Sequence, residues 1–415
     1  MSFAVALRCL RCQRSYPLSH HDRDCPACHD EHPSGLAVVY DAAMLAPRAR
    51  APAGRGLWHY GDLLPIEADE AVTLGEGNTP LLEAPRIGAQ LGLRQLYLKD
   101  ETRNPTGSFK DRMACVGVSV ARRLGAPAIV SSSSGNAGAA AAAYAARAGL
   151  PCVVFTFREA SATLVAQMRA LGAMVGFAET KDARLTLVSQ AVRERGWFSP
   201  SPFSNPVTGS NPLATEGYKT IAYEIAEAMG WEVPEWVVLP VCYGDALAGV
   251  RRGFTELVAL GWTERVPRLV AAETSGSLTQ ALATAARQPP VMRPNHATIA
   301  TSIGASYGTY QSLEALRATH GRAVTVDDAA ILAWQGRLAT LEGIWLEPAA
   351  AAALAAIAQL VEAGTIKPDD QVVALATAGG LKDPGGGEFA VPTVPADLGA
   401  ALAVLQEAYQ QKGSA

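Results

Sequence analysis

Charge is scarce in this chain. Only 18% of its 415 residues are charged, and neither sign dominates, with 35 Lys and Arg against 39 Asp and Glu. Disorder needs low hydrophobicity and high net charge, and a chain with 49% apolar residues and a formal net charge of −4 has neither. The lack of a basic excess argues against a nucleic-acid partner. A membrane span needs about 18 or more consecutive apolar residues, and the sequence contains no such run. The N-terminus MSFAVALRC has no basic segment ahead of its short apolar stretch, so no secretory signal is expected. What remains is a soluble, core-rich globular protein, and at this length it holds two or three domains. A large core with little charge also fits oligomerisation, with a homodimer expected.

Cysteine is sparse too, but unevenly so. Cys9, Cys12, Cys25 and Cys28 crowd the first 28 residues, while Cys115, Cys152 and Cys242 are scattered among apolar neighbours. Free thiols and no signal imply a reducing, cytoplasmic setting. The first four form two Cys-x2-Cys pairs twelve residues apart. That spacing brings four thiolates around one zinc ion, in a closed and therefore structural site. Residues 1–40 form this ribbon-like arm, ending in the strand LAVVYD. Residues 41–72, rich in Pro and Gly, read as a linker or an embracing arm.

Further on, short apolar strands alternate with amphipathic helices. QLYLKDE, AIVSS, CVVFTF, MVGFA, WVVLPV, RLVAAE and QVVALAT read as strands. Helices are expected over 111–124, 137–148 and 181–195. This alternation implies an α/β protein with parallel sheets covered on both faces. A last helix, from about residue 396, carries Leu398, Leu402, Leu405 and Tyr409 on one side, a stripe suited to docking on the core or on a second subunit.

Three strand–loop–helix junctions carry chemistry. In NPTGSFKDRM, Lys110 opens a helix, where a cation opposes the helix dipole unless it has another task such as forming a Schiff base. In SSSSGNAG, successive backbone N–H groups at a helix start suit a carboxylate. LPVCYGDALAGV is a third such junction, suited to a phosphate.

Taken in order, GEGNTPLLEAPRIG, LYLKDETRNPTGSFKDRM, SSSSGNAGAA, EGYKTIAYEI, EGIWLEPAAAAAL and TAGGLKDP resemble the pyridoxal-phosphate enzymes of the tryptophan-synthase-β type, fold type II, and within them the threonine synthases. The resemblance spans almost the whole chain. The paired Cys-x2-Cys arm resembles the zinc ribbon that some members carry. The fold it implies is two doubly wound αβα domains behind the ribbon. Residues 73–112 and 205–415 would form the large, cofactor-binding domain, and 113–204 the small one.

By this resemblance Lys110 holds pyridoxal phosphate as a Schiff base and Asn136 meets the cofactor's ring oxygen. Cys242, Tyr243, Gly244, Asp245 and Ala246 hold its phosphate, and Thr377 faces the pyridine nitrogen. Ser133, Ser134, Gly135 and Ala137 receive the carboxylate of a small amino-acid substrate. The implied reaction is loss of a β or γ group, with or without addition of a nucleophile.

Three departures bear on the substrate. The phosphate loop lacks the family's glycines and carries Asp245, which would repel a phosphate unless it points away, for instance as a helix cap. In TGSNPLATEG, Asn211, Pro212, Glu216 and Gly217 match the family, but Ala214 stands where an arginine grips the substrate phosphate. Ala378 and Gly379 replace a Gly-His pair. The alternatives are therefore a dehydratase, ammonia-lyase or β-replacement enzyme on a non-phosphorylated amino acid, and, in another class, a non-catalytic cofactor-binding ribbon protein. Tyr307 and Tyr310 read as ordinary loop residues, with a place in the cleft as the alternative. Glu216 reads as a residue near the cofactor or as a helix cap.

Overall fold

The computed structural model describes the chain except residues 1–3, 23, 29–31, 44, 48, 50–55, 181, 294–296, 386–390 and 411–415; of residues 408–410 it describes the backbone alone. Residues 1–384 form one unit and 385–415 another.

The first unit opens with three antiparallel strands, β1 (Ala4–Cys9), β2 (Ser15–Tyr16) and β3 (Leu36–Tyr40), in the order β2-β1-β3. The described end of the segment that follows packs closely. Its turn Leu57–Leu63 buries Leu57, Tyr60 and Leu63, with Leu64 and Ile66 close behind. Trp58 Nε1 donates to Glu76 at 2.7 Å.

The chain then lays down β4 (Leu81–Glu83), α1 (Pro85–Leu91), β5 (Gln95–Asp100) and α2 (Lys110–Arg123). It crosses into a small parallel sheet through β6 (Ile129–Ser132), α3 (Asn136–Ala148), β7 (Cys152–Thr156), α4 (Ala162–Ala170), β8 (Met174–Phe177) and α5 (Ala183–Arg195). It returns through α6 (Lys219–Ala228), β9 (Trp236–Pro240), α7 (Asp245–Ala259), β10 (Arg268–Glu273), α8 (Ser277–Ala283), α9 (Tyr310–Ala318), β11 (Arg322–Thr325), α10 (Asp328–Glu342), α11 (Pro348–Glu362) and β12 (Gln371–Ala376). The second unit holds α12 (Leu398–Gln410).

The large sheet has the order β11-β10-β9-β12-β5-β4, parallel except for the edge strand β4. Its strands are apolar without alternation because both faces are covered. Val237, Leu239, Leu269, Ala271, Val373 and Leu375 join one core; Trp236, Val238, Val270, Ala272, Val372 and Ala374 join the other. The polyalanine start of α11 buries Ala349 to Ala356 against the second face, since small side chains let the helix approach closely.

The last strand added, β12, inserts between β9 and β5. Three neighbouring strands therefore end side by side: β5 leads toward Lys110, β9 leads to Val241 and Cys242, and β12 leads to Thr377. Ligands in open parallel sheets bind beyond such carboxyl ends.

Candidate functional site

A cavity of about 640 Å³ lies at those strand ends. All twelve residues expected to bind cofactor or substrate line it: Lys110, Ser133, Ser134, Gly135, Asn136, Ala137, Cys242, Tyr243, Gly244, Asp245, Ala246 and Thr377. They come from two sheets and four segments, which tertiary assembly brings to one wall.

Lys110 is the first residue of α2, and its placement rests on a buried scaffold behind it. Asp111 accepts hydrogen bonds from Thr106 N (2.7 Å) and Thr106 Oγ1 (2.6 Å), which pins the Asn104–Lys110 turn. Arg112 is fully buried and pairs with Glu101 (2.7 Å) and Glu224 (2.7 Å), while Lys99 also reaches Glu224 at 2.7 Å. A buried charge needs such partners. In the cavity, Lys110 Nζ lies 3.2 Å from Tyr218 Oη and 4.4 Å from the centre of the Phe109 ring. Burial pulls its pKa below the ordinary lysine value, against the opposing pull of Asp245.

Asn136 starts α3. Its Nδ2 donates to both oxygens of Glu347, at 3.1 and 2.9 Å, and its Oδ1 is buried without a hydrogen-bond partner. An unsatisfied buried acceptor beside a cavity fits a bound group that donates to it. Sequence reasoning passed over Glu347. Burial raises its carboxyl to about 7 despite the Asn136 amide. One clue was available: Glu347 lies in the EGIWLEPAAAAAL segment directly before Pro348, and in the fold it stands at the N-cap of α11 without capping that helix. Tyr218, inside the EGYKTIAYEI segment but not singled out there, touches Lys110, and Arg184 lines the cavity without a motif to announce it.

The loop before α7 turns at Gly244, whose φ is 82°. A Cβ there would strike the side chain of Ser312, so both the backbone angle and the close approach require glycine. The first N–H groups of α7 have no partners within the helix, and they begin at the cavity wall.

Asp245 is held by groups outside its own helix rather than by capping it. Its carboxylate accepts from Ser210 N (2.9 Å), Ser210 Oγ (2.8 Å) and Gln311 Nε2 (2.6 Å), tying the 209–210 loop to α9. Those three donors stabilise its charge at the start of α7. In the SSSSGN loop, Gly135 N donates to Ser133 Oγ at 3.1 Å. Thr377 is buried, and Thr377 O accepts from Phe109 N at 2.9 Å, which locks the β12 end against the Lys110 turn.

Tyr307 lines the cavity and its Oη accepts from Val207 N at 2.8 Å; Tyr310 instead lies under the Arg11 guanidinium, 3.9 Å from ring centre to Cζ. Glu216 neither lines the cavity nor caps a helix. It sits in a buried cluster, accepting from Tyr40 Oη at 2.7 Å and pairing with Lys219 at 2.8 Å and with Arg252.

Residues 72–378 match the family model described as pyridoxal-phosphate dependent enzyme. The chain belongs to this family. A threonine synthase from Methanosarcina acetivorans is 36% identical over 388 residues, covering 91% of this chain and 92% of that protein. A threonine synthase from Methanocaldococcus jannaschii is 32% identical, over 91% and 93%. A solved structure of maize serine racemase superposes with a TM-score of 0.63 at 21% identity, covering 81% of this chain and 93% of that one, a likeness of fold. The pyridoxal-phosphate-dependent reading is the one the cavity fits: a lysine amine inside it, a helix start for a phosphate and an unsatisfied buried acceptor.

At the other end of the first unit, the sulfurs of Cys9, Cys12, Cys25 and Cys28 lie within 4.8 Å of one another, with Cys9–Cys28 at 3.9 Å and Cys12–Cys25 at 3.6 Å. Tetrahedral zinc with bonds of about 2.3 Å sets sulfurs about 3.8 Å apart. The N–H groups of Arg11 and Cys12 donate to Cys9 Sγ, at 3.3 and 3.4 Å. Among the described residues, no helix is long and apolar enough to cross a membrane.

Proposed function

We propose that this pyridoxal-phosphate-dependent lyase acts as the threonine synthases do, releasing phosphate from the γ position of O-phosphohomoserine and adding water. The observation that carries the reading is Lys110 Nζ in a closed wall of loops that offers a helix start on one side and the SSSSGN turn on the other. The cofactor supplies an electron sink for carbanion chemistry at the amino acid. Lys110 would hold it, the 242–246 backbone would take its phosphate, Asn136 and Thr377 would flank its ring, and the 133–137 turn would take the substrate carboxylate. Burial favours the neutral amine of Lys110, so Nζ can accept a proton from the substrate's carbons and return it. Tyr218 Oη orients that amine. Glu347, raised by burial to about 7, can hold a proton beside Asn136 near neutral pH. A second reading, a lyase on a non-phosphorylated amino acid, is favoured by one observation: Ala214 is fully buried and does not line the cavity.

Zinc in the four-cysteine site, a homodimer and a cytoplasmic setting belong to the same proposal. The sulfur spacings support the metal. The exposed Met174 and Phe177 of β8 support a covered surface. The free thiols suit a reducing compartment.

The test is direct. The purified protein should be yellow, and Lys110→Ala should lose both the colour and at least about 10³-fold in turnover. Phosphohomoserine should yield phosphate and threonine. Ammonia and keto acid from a non-phosphorylated amino acid, without phosphate release, would favour the second reading.

A further inference from the structure

Ala214 packs against α2: a Cβ placed on Gly117 would lie 2.8 Å from Ala214 Cβ and 2.9 Å from Pro200 Cβ. No guanidinium reaches the cavity from there. Among the described residues that line the cavity, the cations are Lys110 and Arg184. If Lys110 serves the cofactor, Arg184 is the other cation of the cavity lining, close in sequence to Asp182 of the same lining, that can face the substrate.

Arg184 is the second residue of α5, and its Cζ lies over the ring of Phe157 at 5.1 Å. Stacking on an aromatic face fixes the plane of a guanidinium and suits its N–H edge to a two-point fork on an oxyanion. Phe157 follows β7, the SSSSGN turn follows β6, and α5 follows β8. The three neighbouring strands thus place the carboxylate turn, the aromatic platform and the arginine in sequence along one edge. Two strand spacings are roughly 10 Å, within the combined reach of a short amino acid with an anionic end and an arginine side chain. The charge is also felt at the far wall. Burial pushes the Cys242 thiol up to about 11 and raises the Tyr243 phenol, and Arg184 opposes both.

We propose that Arg184, stacked on Phe157, reads an oxyanion at the far end of the substrate's side chain, taking over at a new position the task an arginine at 214 would perform. The substrate class is an α-amino acid that ends in a phosphate. The inference rests on the functional reading above and deepens it.

The test is ligand binding to the holoenzyme, followed by calorimetry and by the absorbance of the bound cofactor. The probes are 2-amino-5-phosphonopentanoate, 2-aminoadipate and norvaline, which differ at the side-chain terminus. The wild type should bind the phosphonate about 10- to 100-fold tighter than norvaline, the range expected for hydrogen bonds to a charged group. Arg184→Gln should erase that preference, while cofactor content, thermal midpoint and norvaline affinity hold. A larger preference for 2-aminoadipate, also erased by Arg184→Gln, would keep the arginine subsite but overturn its assignment to phosphate. Equal loss for all three probes would place Arg184 on the α-carboxylate and overturn the proposal. Loss of cofactor from Arg184→Gln would place it on the cofactor phosphate and would equally overturn the proposal. A wild type that takes up no cofactor would overturn the functional reading itself, a result distinct from cofactor uptake with a flat affinity profile.

Discussion

Glu347 shows how one residue's surroundings set a pH dependence. Its carboxyl lies at about 7 in the folded protein, because burial penalises the charged form more than Asn136 Nδ2 relieves it; the unperturbed value is 4.5. The folded state therefore binds this proton more tightly than the unfolded state does. Stability from this group is full below about 4.5, falls as pH rises toward 7, and is level above. Glu347→Gln keeps an oxygen for Asn136 Nδ2 and removes the charge. The cofactor-free variant should match the wild type near pH 4.5 and exceed it at pH 8 by about 1–3 kcal/mol. Urea unfolding at both pH values measures this, and a gap independent of pH would contradict it.

At the scale of elements, the site depends on how closely α2 meets the 3-10 turn Ala214–Tyr218. Gly217 makes the contact: a Cβ there would collide with the carbonyl oxygen of Arg112, in the first turn of α2 and two residues from Lys110. Gly217→Ala must push the two elements apart. It should cost about 3 kcal/mol or more, at the upper end for overpacking, read as a lower urea midpoint. It should also weaken cofactor retention, because Tyr218 Oη moves away from Lys110. An unchanged midpoint would mean the contact has slack.

This contact also explains what could be read in advance and what could not. Lys110, the SSSSGN turn and the 242–246 loop each sit at a strand–loop–helix junction with a local sequence pattern, so each was legible, whereas Asn136 and Thr377 were named only through the family resemblance. Gly217 was legible as a residue type but not for its reason, which is a carbonyl 105 positions earlier in the chain. Glu347, Tyr218 and Arg184 reach the cavity only through packing of distant elements, and no spacing rule announces that. Asp245 was expected to repel a phosphate unless it pointed away, and the donors that hold its carboxylate, from the 210 loop and α9, could not be read locally.

Across the molecule, the cysteine arm and the cavity are joined by a short mechanical path. β3 ends at Tyr40, whose Oη donates to Glu216 in the same 3-10 turn that carries Tyr218 to Lys110. The arm grips the body at two further points. Asn211 Nδ2 donates to His21 O at 3.2 Å, and Arg11 stacks on Tyr310 while its Nη2 donates to Arg287 O at 3.1 Å. Leu7, Cys9, Cys25 and Leu36 are buried inside the arm, but such a small piece has little apolar core to hold its strands without a metal. Chelation under reducing conditions should therefore loosen β3 first and release Tyr40 from Glu216. Glu216 would then face Lys219 and Arg252 with one hydrogen bond fewer. The expected outcome is a thermal midpoint lower by about 2 °C or more, corresponding to a loss of about 2 kcal/mol in a chain of this size. The absorbance of the bound cofactor should shift as Tyr218 moves, and Cys12→Ser should reproduce both changes. Tyr40→Phe separates the two links: it should alter the spectrum through Glu216 while zinc content stays at that of the wild type. Chelation that removes zinc yet leaves midpoint and spectrum unchanged would show that the arm is docked on the enzyme without supporting its site.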